Sequence, residues 1–143
     1  MKRTILLAAA LVGAGRAFAQ APSGAHMLNL SCVEALVSIG QPSLAGVFSF
    51  IPEKDAPAAF ADLIVHNTKA LKKFVAKMER DQKEAGGIST WDHDAVSFAV
   101  SVYKSPLAET LDKPGEGMLK KLEALALAPA MTLQELTAHR RKG

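Results

Sequence analysis

The stretch PAAFADLIVHNTKALKKFVAKMERDQKEA, Pro57 to Ala85, decides how this chain is read. Phe60, Ile64, Asn67, Leu71, Phe74 and Met78 recur at steps of four, three, four, three and four. That spacing lays side chains along one stripe of an α-helix, since a turn takes about 3.6 residues. Pro57 suits the first helical position, where the missing N–H is no loss, and Gly86-Gly87 suits the end. The pattern predicts one long helix over 57–85. His66 and Asn67 interrupt its apolar seam. A polar residue there reads as a hydrogen-bonded core amide that fixes packing register, or as the lining of a ligand pocket. From Glu79 to Glu84 every residue is polar, so the last turns are expected to stand in water. Lys69, Lys73 and Lys77, spaced by four, form a basic stripe that could meet an acidic partner.

Helical signals continue on both sides. Leu28 to Ile39 reads as a helix stopped by Gly40, with Leu28, Cys32, Leu36 and Ile39 on one face. Pro42 can open a short helix through about Phe50. The segment 47–51 also has the composition of a strand. Trp91 to Tyr103 reads as the most buried helix, capped by Ser89 or Thr90, with a stripe of Trp91, Ala95, Phe98 and Val102. Alternation of Val96, Phe98, Val100 and Val102 makes a strand its rival over 95–103. Ser105-Pro106 can start a short turn through Leu111, and Met118 to Leu127 is amphipathic. Thr132 and Glu135 form a capping box for a last helix, and Met131 can staple onto Leu136. The fold class is therefore all-α: a compact bundle of five or six helices, in one domain over 28–143.

The chain opens with Lys2 and Arg3, an apolar run from Ile5 to Val12, and Ala17-Phe18-Ala19. This is the layout of a cleavable signal peptide over 1–19, cut between Ala19 and Gln20. The apolar run is far shorter than the roughly 20 residues that span a membrane. Residues 20–27 then read as a flexible mature N-terminus. Lys2, Arg3 and Arg16 leave with the signal. The 17 basic residues fall to 14, equal to the 14 acidic ones, and the formal charge of +3 disappears. The basic isoelectric point is thus no sign of nucleic-acid binding. No second apolar run is long enough for a stable membrane span. Export follows as an expectation, most simply to the periplasm, with secretion as the alternative. Cys32 is the only cysteine, so it either stays buried as a thiol or pairs between chains.

Nothing in the chain spells a common catalytic or cofactor motif. There is no G-x-G-x-x-G, P-loop, H-E-x-x-H, C-x-x-C or G-x-S-x-G. No cofactor or metal is called for. Trp91-Asp92-His93-Asp94 is the most site-like cluster, and a His/carboxylate enzyme would use His93. Residues two apart on a helix point about 200° from each other, so Asp92 and Asp94 cannot both face one ion. Negative charge near a helix start explains both. The expected function is non-catalytic binding, most simply to another envelope protein through Lys69, Lys73 and Lys77. The alternatives are a small-molecule or lipid carrier with an apolar pocket at His66 and Asn67, and the His93 enzyme.

Overall fold

The helix expected over 57–85 is two helices, and Asn67 is the reason. The structure is a computed structural model that describes residues 25–111 and 114–142. The expected signal segment and the cleavage point at Ala19 and Gln20 lie outside the described residues. Helix α3 runs Ala56–Val65 and α4 runs Thr68–Ala85. Between them Asn67 takes an extended backbone, and its Oδ1 accepts from the Ala70 N–H at 3.1 Å. Asn competes for backbone donors better than it supports a helix interior, which makes it a strong N-cap and a weak link. Phe60 and Phe74 then meet at a ring-centroid distance of 4.9 Å. In one straight helix, fourteen residues would hold them about 21 Å apart. The periodic seam is real, but its two halves face each other instead of running on.

The other elements follow the sequence signals closely. Helix α1 spans Leu30–Ser38, capped by Asn29 Oδ1 on the Ser31 N–H. Gly40 adopts φ +76, and the Gly40 and Gln41 N–H groups bond back to Val37 and Leu36. This is the left-handed helix stop that favours glycine. A 3₁₀ turn at Pro42–Leu44 leads into the four-residue α2, Ala45–Phe48, and no strand forms over 47–51. Helix α5 covers Thr90–Tyr103, with Ser89 Oγ accepting from the Asp92 N–H at 3.0 Å. Helix α6 spans Glu116–Ala126 and α7 spans Leu133–Lys142. The Thr132–Glu135 capping box of α7 forms in both directions, each bond 3.0 Å. The chain is mainly α. No helix among the described residues is long and apolar enough to cross a membrane.

Helix α5 lies at the centre, packed most extensively on α3, then on α6. Its inward face is Trp91, Asp92, Ala95, Val96 and Ala99, while Phe98 of the expected stripe is exposed. The helix is rotated from the expected setting because Asp92 faces inward. Phe60 is the hub of the apolar layer, in edge-on contact with Phe48, Phe74 and Trp91. A feature the sequence reading missed is a two-residue parallel pairing, β1 Ile88–Ser89 with β2 Ala130–Met131. Gly87 makes it possible: a Cβ there would come within 2.6 Å of the Pro129 carbonyl oxygen. Of the N-terminal segment 20–27, only 25–27 is described. There His26 Nε2 donates to the Ile51 carbonyl oxygen at 2.7 Å.

Candidate functional site

The chemically dense region is a buried ionic core where α1, α4, α5 and α7 meet. Lys77 and Asp81 stand four apart on α4 and so lie one above the other. Lys77 is only 4% exposed, and Asp81 and Asp92 are 0% exposed. The Lys77 ammonium donates to Asp92 Oδ2 and, at 3.2 Å, to Asp81 Oδ2. Glu34 Oε1 on α1 lies 4.0 Å away. From α7, Arg140 Nη2 donates to Asp81 Oδ1 at 2.7 Å, and its two nitrogens reach Glu34 at 3.4 Å. Asp92 Oδ1 is buried with no hydrogen-bond partner among the described residues, as is Trp91 Nε1. Buried charges are tolerated only when paired and hydrogen-bonded. Here three carboxylates share two cations.

Burial dominates the electrostatics. It pushes the Asp92 carboxyl up to about 6, against the opposing pull of Lys77. Burial also pushes the Cys32 thiol up to about 11, and the charge of Asp92 adds to the effect. Cys32 is thus a buried protonated thiol and a poor nucleophile in this setting. The two carboxylates hold the Lys77 ammonium above its usual value despite its burial. The arrangement keeps Lys77 charged, which suits a structural cation.

One residue of the expected basic stripe changes character. Lys77 belongs to the core, while Lys69 and Lys73 are exposed. The geometry of steps of four explains this: each advances about 40° around the helix, so the third lysine has turned toward the inward arc. Arg80 falls between Lys69 and Lys73 in angle and takes its place on the outer face. Asp81 likewise breaks the expectation of a wholly solvated end. It stands seven residues, two turns, beyond Phe74, and that spacing in the sequence was the available signal. Asp92 is the expected charge near a helix start, and it also faces inward.

The other expected sites do not assemble. His66 is exposed and lies 3.5 Å from Asp62 on its own helix. Asn67 is an exposed cap and does not sit in the apolar seam. His93 is half-buried and makes no ion pair with a described residue. Among the described residues no group of His, Cys, Asp and Glu is placed to hold a metal ion.

Over the ionic core lies an open cleft of about 310 Å³, walled by Val33 and Val37 of α1 and edged by Glu34, Arg80 and Arg140. Lys77 forms part of its floor. Val37 is 56% exposed, and Leu30, two turns away on the same helix, is 66% exposed. Lys73 Nζ sits by Gly40, at the carbonyl end of α1, where a cation is favoured. A second open cleft, about 350 Å³, lies beyond Leu30 and is lined by Trp91, Met131 and Leu133. The chain matches no protein-family model, no curated protein and no solved structure.

Proposed function

We propose that this is an exported protein that acts by non-catalytic binding of another protein of the cell envelope, through the face made by α1, α4 and α7. The observation that carries this reading is the pairing of uncovered apolar side chains with unneutralised cations. Leu30 and Val37 project from α1, and the cleft beside Val37 is edged by Arg80, which makes no ion pair with a described residue. Lys69 and Lys73 continue the same basic stripe along α4. Contiguous exposed apolar surface rimmed by charge is the usual make-up of a protein-binding patch. The complementary partner presents acidic side chains around an apolar one. In this reading the ionic core below the cleft is scaffold, since its cations are occupied by Glu34, Asp81 and Asp92.

The test is affinity capture from envelope extract with four forms: wild type, Val37→Glu, Arg80→Glu and Lys69→Glu/Lys73→Glu. A partner recovered by wild type and lost from Val37→Glu and Arg80→Glu, with thermal unfolding unchanged, is the expected result. Identical recovery by all four forms overturns the reading. Export is tested separately by N-terminal sequencing of the protein recovered from the envelope, which should begin at Gln20.

A further inference from the structure

The ionic core carries an excess of one negative charge. Glu34, Asp81 and Asp92 supply three carboxylates, against the cations of Lys77 and Arg140. Asp81 is served on both oxygens, by Arg140 on Oδ1 and Lys77 on Oδ2. Glu34 is partly open to water. Asp92 has neither advantage. It is fully buried and, among the described residues, shares its one cation with Asp81 and leaves Oδ1 without a partner. The groups that face it are Lys77 and Asp81 from α4, Glu34 and the Cys32 thiol from α1, and Arg140 of α7 through Asp81. One proton on Asp92 would balance the five charges without moving a helix.

We propose that the Asp92 carboxyl is a proton-binding site that locks the junction of α1, α4, α5 and α7 when the surroundings turn mildly acidic. The direction follows from linkage. Burial holds Asp92 at about 6, above its ordinary 3.8. A carboxyl held above its unfolded value binds its proton more tightly in the fold than in the open chain. Its stabilisation is complete below 3.8 and fades as the pH rises through about 6. The protein therefore gains stability on mild acidification, the reverse of a protein held by ionised carboxylates. No partner is needed for this device, and it goes beyond the binding reading above.

The experiment is carboxyl-carbon NMR titration of the whole protein, with thermal unfolding at about pH 5 and pH 7.5. Asp92 should titrate near 6, and Tm should rise by about 5 °C or more on acidification. Asp92→Asn, which matches the shape of the neutral acid, should abolish that rise. His26 is also held above its usual value by the Ile51 and Met27 carbonyls, so His26→Gln must keep the rise. An Asp92 midpoint in the ordinary carboxylate range overturns the proposal. So does a rise that persists in Asp92→Asn or vanishes in His26→Gln. If Asp92→Asn does not fold, the titration of the wild-type carboxyl decides alone.

Discussion

One turn of α4 separates two kinds of interior. Phe74 packs against Phe60 in a dry aromatic layer, and Lys77, three residues on, sits in a layer of paired charge. Both side chains are buried, yet they hold the fold by different physics. The aromatic layer gains from removing apolar area from water, so any loss of volume costs it. The ionic layer gains only while its members are matched, because desolvation nearly cancels the attraction. The first should be insensitive to pH and the second should not. Exposed ion pairs such as Lys104–Glu123 and Lys121–Glu79 form a third case, and each is worth at most about 1 kcal/mol.

Five variants press on that contrast. Phe60→Ala removes the ring that touches Phe48, Phe74 and Trp91, and should cost about 3–5 kcal/mol in urea unfolding, equally at about pH 5 and pH 7.5. Lys77→Ala strands Asp92 and should cost about 3–5 kcal/mol near neutral pH, but less when Asp92 can take a proton. A cost that does not fall with pH would place the two layers in one class. Lys77→Met with Asp92→Leu removes the pair together, and should be milder than Lys77→Ala alone, as apolar replacements of buried ion pairs are. Smaller again is Asn67→Ala, which deletes the cap of α4 and should cost about 1 kcal/mol by the same unfolding curves. At the bottom, Lys69→Glu should change stability by no more than about 0.5 kcal/mol, because that side chain is exposed.

The aromatic layer was legible in the sequence and the ionic layer was not. Phe60, Ile64, Leu71, Phe74 and Met78 announce themselves by spacing, and all five are buried. Caps at Ser89 and Thr132 and the stop at Gly40 were equally readable, because their chemistry is local. The split at Asn67 was misread as seam, since a cap and a core amide use the same residue type and only the chain's path tells them apart. Polarity alone puts Asp81 in water, Lys77 in an outward basic stripe and Asp92 at a helix start, against a helical phase that places all three inside. Their partners are also remote: Lys77 meets Asp92 across fifteen residues, and Arg140 meets Glu34 across 106. No local pattern reports such a pairing.

The short pairing of Ile88–Ser89 with Ala130–Met131 also fixes where the last helix sets out. It closes α5 and α6 into a loop that returns the chain to the foot of α5, with Gly87 as the pivot. From there α7 lies along α4 and brings Arg140 to Glu34 of α1. The last cation of the ionic core is thus delivered by a contact of very long sequence separation, the kind that forms slowly. Helix α7 should be the last element to dock and the first to exchange its amides, while the α3–α5 pair keeps the strongest protection.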